Sequence, residues 1–419
     1  MVIFLWLLPV VFFWQQGVSY YERAPNGAQI VAHIRPSAPY CVASLFVKSG
    51  SAYDPINCEG TAHLLEHLLP IQPHGEVTLQ IALERKGVLL LPETGRDFMA
   101  FHFQGLTENL EEVLPKTLQL VSNLQVDLKI VEGEKRLMWL EALSLYEDPL
   151  WLMKALVEAK LFEKTGYAHP PIGWLETVEK LSLEDATLFQ QNHFIAPNMA
   201  IVALIQDKKM LTVLREVASG LPNDRKVSAK LMSLPTHHLS PQLEAILRQR
   251  LNRLRESFWG VGWRIKLDAK EKIALDAAVL HLRQLVLPHL LGKIGVVQEW
   301  SLVANQIKGE VALTFAAHLK SHEELVEHSL FSSLKQLAQK GVMEREVDWL
   351  KRILKLEHLR TFNEPMRFVR ELGLAWAIYD DPTIFERYGE NLESLTTEDL
   401  RGIFLRLIST EPVIVAVRR

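Results

Sequence analysis

The residues best suited to chemistry in this chain are His63, Glu66 and His67, set in Thr61 to Pro70, TAHLLEHLLP, which reads as a short apolar helix stopped by Pro70. Helical residues three and four apart share a face, so His63 and His67 can close on one metal ion with Glu66 beside it. The order is H-x-x-E-H, the inverted form of a zinc-binding pair. Neutral imidazoles suit Zn²⁺, and a catalytic zinc needs three protein ligands plus an open position for a water, whose pKa falls to about 7. A nearby carboxylate that is not a ligand can take that proton. Taken alone, the same residues could equally decorate an amphipathic helix, so a third ligand has to come from elsewhere.

A second segment, Ile130 to Glu147, IVEGEKRLMWLEALSLYE, carries Val131, Leu137, Met138, Leu140 and Leu145 at helical spacing. Its Glu134 and Glu141 are seven residues apart and share a face, and Glu141 stands 74 residues after His67. With these two segments the chain resembles the pitrilysin and insulin-degrading enzyme family of zinc peptidases, which includes the mitochondrial processing peptidase. The resemblance implies one Zn²⁺ per chain held by His63, His67 and Glu141, with Glu134 behind them and Glu66 as the general base.

The same family has a substrate-binding edge strand of the form G-x-x-x-N-A-x-T-x-x-D. Here Gly87, Thr94 and Asp97 match, while Leu91 and Pro92 replace the asparagine and alanine. The resemblance therefore places Thr94 and Leu91 against substrate, with pairing weakened by a proline that lacks a donor and that a bulge would accommodate. Tyr167, His169, Pro171 and Gly173 keep the outline of the following turn, where His169 reads as a solvated residue. From its second half the family contributes an arginine and a tyrosine in R-x-x-x-G-L-x-Y, which hold substrate and the developing oxyanion. The matching Leu290 to Trp300, LLGKIGVVQEW, keeps Gly295 but has neither, with Gln298 or Trp300 near the tyrosine's place. Losing one such donor typically costs about a hundredfold in rate. The chain thus resembles the zinc-bearing member of a pair whose homologous partner lacks the zinc motif and supplies arginine and tyrosine.

The elements that must position these residues follow from local signals. Pro25-Asn26-Gly27 is a turn between strands, AQIVAHI and CVASLFVKSG follow, and the glycines at Gly50 and Gly60 lead into the metal helix. Gly75 to Lys86 reads as a second helix, and Phe98 to Gln104 alternates as a strand. Later, SFWGVGWRI and Glu310 to His318 read as strands, and Asp268 to His289, Gln336 to Thr361 and Glu364 to Ile378 as helices. The chain also repeats itself. EKLSLEDATLFQQNHFIAPNMAIVAL from Glu179 aligns with ESLTTEDLRGIFLRLISTEPVIVAV from Glu393, an offset of 214 residues. Two related halves follow.

At 419 residues the chain exceeds one core, and we expect a zinc-binding unit at 20–218, a linker at 219–241 and a second unit without the motif at 242–419. The fold class is α+β: two homologous halves, each a mainly antiparallel sheet with helices packed on one face, forming a clamshell. His237 and His238 are adjacent and read as solvated linker residues. Residues 2–14, VIFLWLLPVVFFW, suit a signal-peptide core with cleavage after Ser19, or else an uncleaved anchor or a buried first strand. The first option implies export, to a bacterial periplasm. Membrane contact is expected only through an uncleaved leader. Cys41 and Cys58 lack ligand spacing and read as structural, whether or not they pair. A net charge of −4 gives no footprint for nucleic acid, and the basic run Leu247 to Arg255 reads as a solvated face. The function expected is a zinc endopeptidase for short or unfolded peptides, completed by a partner; the alternative is a non-catalytic scaffold or regulatory subunit of the same fold.

Overall fold

The computed structural model describes residues 17–121, 124–223, 233–320 and 322–418. The apolar leader 2–14 lies outside the described residues, as do residues 224–232 of the expected linker. The cut after Ser19 would fall inside β1 (Val18–Arg23), which pairs with β2 (Gln29–Ile34).

The first sheet continues through β3 (Cys41–Val47), β4 (Leu89–Thr94), β5 (Met99–Gly105) and β6 (Met199–Ile205) in the spatial order β1-β2-β6-β3-β5-β4. Among the described residues, only β2 and β6 of this sheet pair in parallel. The second sheet is β7 (Ser257–Lys266), β8 (Val297–Ile307), β9 (Glu310–Leu319) and β10 (Val413–Val417), in the order β8-β9-β7-β10 and antiparallel throughout. Set side by side, β6-β3-β5-β4 repeats as β10-β7-β9-β8. The internal sequence repeat marks this duplication, down to its helix caps. Ser182 and Asp185 form a capping box, and Thr396 and Asp399 form its counterpart.

In the first half α1 (Thr61–Ile71), α2 (Thr107–Val121) and α3 (Leu128–Tyr146) cover one face of the sheet, and α4 (Pro149–Leu161) follows. Helix α5 (Leu183–His193) leads into β6. The second half repeats them with α6 (Ala269–His281), α7 (Glu323–Lys340), α8 (Glu344–Asn363), α9 (Pro365–Tyr379) and α10 (Thr397–Ser409). The halves exchange one helix each. Leu152, Val157 and Leu156 of α4 pack in one cluster with Phe258, Ala316 and Val415 of the second sheet. In return Phe368, Val369, Leu372 and Trp376 of α9 pack on Val42, Phe46, Ala200 and Val202 of the first. Glycines allow the close approach: a Cβ on Gly262 would meet Val157 Cγ1 at 2.7 Å, and one on Gly373 would meet the Phe46 ring at 2.0 Å. Each sheet therefore has its own helices on one face, as expected, and a borrowed helix on the other.

Several boundaries differ from expectation. Helix α1 runs through Pro70 to Ile71, because a proline in the last turn forfeits one hydrogen bond without ending the helix. The second helix is confined to Leu79–Glu84. The expected helix 336–361 is two, broken at Gly341, whose φ of +73° a helix cannot hold. In β4 the register runs unbroken from Leu89↔Gln104 to Thr94↔Met99, with Pro92 opposite Phe101 and no bulge. An edge strand tolerates the missing donor.

Candidate metal centre

Helix α1 has no side chain at its own N-cap, which is Gly60 at φ +103°. The fully buried Asp54 supplies the cap: its carboxylate accepts from Gly60 N–H at 2.7 Å and Ala62 N–H at 2.8 Å. Leu64, Leu65, Leu68 and Leu69, each 0% exposed, pin the opposite face to the core. His63, Glu66 and His67 are left facing the groove toward α3 and β4. Helix α3 starts at Asp127, which accepts from Lys129 and Ile130 N–H, and buries Val131, Met138, Ala142 and Tyr146. Leu137 and Leu140, expected on its buried face, are instead 54% and 56% exposed. Seven-residue spacing turns both Glu134 and Glu141 toward α1.

The result is a compact donor group. Glu141 Oε2 lies 3.8 Å from His63 Nε2 and 3.6 Å from His67 Nε2. The ligand atoms of all three residues lie within 4.8 Å of one another. Four-coordinate zinc with bonds of about 2.1 Å sets its ligands about 3.4 Å apart, so a small adjustment closes the group. His67 Nδ1–H donates to Glu134 Oε2 at 3.1 Å, which fixes the tautomer that leaves Nε2 free for a metal. His63 Nδ1 is buried and makes no hydrogen bond. Two imidazoles and one carboxylate are a zinc-type donor set, and these residues fit the ion.

The electrostatics differ between the two histidines. Burial, with the charge of His67, pulls the His63 imidazole down to about 4, so it is neutral near pH 7. Burial also opposes charge on His67, but its hydrogen bonds to Glu141 and Glu134 outweigh this and raise it. The bond from His67 holds Glu141 below the usual carboxylate range. Glu66, 4.0 Å from His63 Nε2, is pushed up by burial against the pull of Thr94 and His67. A carboxylate raised in this way is a stronger base.

The other expected site residues are placed as follows. Thr94 ends β4 beside Glu66, and Leu91 lies on the same edge strand, 41% exposed. Gly295 ends the helix Leu287–Ile294, Gln298 is exposed, and Trp300 stacks on Phe315 rather than approaching the donor group. Two expectations are overturned. His169 and His237 are each 2% exposed, not solvated: their rings meet at 4.7 Å, and His237 reaches Glu59 and Asp54. His238 alone is exposed. No local signal marks this burial, since the contact joins residues 178 positions apart.

Between the halves lies a polar chamber of about 660 Å³ lined by Glu93, Arg96, Glu158, Lys272 and Arg370 among others. Arg370 on α9 grips Glu93 on β4 with Nε at 2.8 Å and Nη2 at 2.5 Å. Arg96 reaches Glu158 at 2.6 Å, and Asn305 of β8 reaches it at 2.7 Å.

Residues 29–170 match the family model of the insulinase peptidases, peptidase family M16. Subunit 1 of the mitochondrial cytochrome b-c1 complex from Bos taurus is 23% identical over 204 residues, 48% of this chain and 42% of that protein. A probable mitochondrial-processing peptidase subunit beta from Arabidopsis thaliana is 19% identical over 213 residues, 50% of this chain and 40% of that one. These matches span under half the length of either relative. The crystal structure of a protease from Helicobacter pylori superposes with a TM-score of 0.81 at 15% identity, covering 96% of this chain and 100% of that one. At that identity the likeness speaks for the fold. The likeness to the M16 peptidases thus rests on residues 29–170 in sequence and on the fold over nearly the whole chain.

Proposed function

We propose that the chain is a zinc-dependent endopeptidase acting on short or unfolded peptides. The observation that carries this is the convergence of His63, His67 and Glu141, with Glu134 bonded to His67 and Glu66 beside them. His63, His67 and Glu141 would hold one Zn²⁺, which when bound would polarise the peptide carbonyl and acidify a water. Glu134 orients the imidazole of His67. Glu66 takes the proton from the attacking water and returns it to the leaving amine. The open edge of β4, with Leu91 and Thr94, receives the peptide as an added strand. The units 20–218 and 242–419 keep their roles as zinc-bearing and motif-free halves. Export through the leader remains part of the reading.

Nothing among the described residues stands in for the family's arginine and tyrosine at 290–300. A homologous subunit without the zinc motif would supply them. The same observation favours a second reading, a scaffold or regulatory subunit that cleaves nothing, in keeping with the respiratory-complex relative.

Zinc content and turnover separate the two. Purified wild type should carry one zinc per chain, and Glu141→Gln should lose it. Glu66→Gln should retain the metal while peptide hydrolysis, assayed with the partner present, falls by at least about a thousandfold. A metal-replete wild type without zinc would leave the scaffold reading, and turnover in Glu66→Gln would remove Glu66 as base.

A further inference from the structure

The loop from Asp54 to Glu59 fixes where α1 begins, and it is held from behind by one residue of the stretch that joins the halves. His237 Nε2–H donates to the Asp54 carbonyl at 3.0 Å, and Nδ1 lies 2.8 Å from Glu59 Oε1. The imidazole thus ties together both ends of the loop. Its own backbone is anchored, since His237 O accepts from Lys164 N–H at 2.9 Å. The loop is also pressed from the other side. Glu59 O accepts the Thr177 hydroxyl at 2.9 Å, and Gly173 packs so close that a Cβ there would lie 2.2 Å from the same oxygen.

The other functional groups of the cluster have little else to hold. The second oxygen of Glu59 and Nε2 of His169 are buried and make no hydrogen bond. Burial would raise the Glu59 carboxyl, but the bond to His237, together with a backbone hydrogen bond and the neighbouring imidazoles, holds it low. The Asp54 carboxylate, which caps α1 through Gly60 and Ala62, follows its own backbone, and that backbone is what His237 grips. His63 stands one turn inside the helix so capped.

We propose that His237 is a positioning residue for the metal group: by clamping Asp54 and Glu59 it sets the first turn of α1, and hence the reach of His63 toward His67 and Glu141. The proposal rests on the zinc reading above. Through it the attachment of the second half bears on the metal site of the first, although the segment lies far from both histidines in sequence.

The test is zinc affinity, measured by competition with a chromophoric chelator on full-length wild type, His237→Ala and His238→Ala. The thermal midpoint of each metal-free protein is recorded alongside. Loss of an outer partner of a metal site costs about 10–100-fold in affinity, and His237→Ala should lie at the lower end, about tenfold. His238→Ala should match wild type. A purely structural role would lower the midpoint of the metal-free protein and leave the affinity of its folded fraction unchanged, which would overturn the proposal. Should His237→Ala fail to fold, His237→Gln serves instead: its amide can still donate to Asp54 O but loses Glu59. An affinity between those of wild type and Glu141→Gln then supports the proposal, and an unchanged one overturns it. A wild type that binds no zinc overturns the metal reading and this one with it, an outcome distinct from equal affinities.

Discussion

A ligand's neighbour can matter nearly as much as the ligand. Glu134 touches no metal position, yet its bond to His67 Nδ1 decides which ring nitrogen is free. Glu134→Gln should therefore keep zinc but bind it about 10–100-fold more weakly, read by the same chelator competition. Equal affinity would mean that His67 is oriented by packing alone. Glu134 was legible because seven-residue spacing is a local property. Asp54 was not, although it caps α1, since a cap reaching back six residues from Gly60 leaves no pattern in an irregular loop. His237 was misread for a related reason: polar flanks suggest solvent, and burial is decided by distant chain.

Elements show where local rules hold and where packing overrides them. Helix α3 was correctly located, but Leu137 and Leu140 lie on its open side, because which stripe is buried depends on the neighbouring elements. The single predicted helix 336–361 ignored a glycine that, at φ +73°, ends one helix before another starts. Two glycines have an equally firm role at the start of α1. Gly173, at φ +82°, and Gly60, at φ +103°, face each other across the loop that precedes it. A Cβ on Gly173 would meet Glu59 O at 2.2 Å. Gly173→Ala should therefore cost about 2–4 kcal/mol in a urea unfolding curve, well above the effect of an ordinary Gly→Ala change. A loss below about 1 kcal/mol would show that the loop can move aside.

At the scale of the whole molecule, the repeat between residues 179 and 417 made two related halves visible, and the sheets bear out the duplication. The exchange of α4 and α9 was not visible, because an amphipathic helix does not state which sheet it will meet. One consequence is the Arg370–Glu93 pair, which joins the halves. Burial would raise the Glu93 carboxyl, but bonds from His102 and Arg370 overcome it and hold the group at about 2. A group depressed in the fold stabilises it above its ordinary pKa, and that stability is lost as pH falls toward the folded value. Wild type should lose stability between about pH 4.5 and 2 more steeply than Glu93→Gln, which should be weaker by about 1–2 kcal/mol at neutral pH, allowing for partial exposure of the pair. Thermal midpoints across that range measure it, and parallel curves would show that the pair is screened out.

The helix exchange also bears on how such a chain could have arisen. One unit by itself, without the helix lent by the other, would leave a bare apolar sheet face in water. Two copies lending each other that helix would cover both faces at once, as a symmetric, helix-swapped dimer. The second half therefore cannot leave without uncovering the sheet on whose other face α1 and its histidines pack.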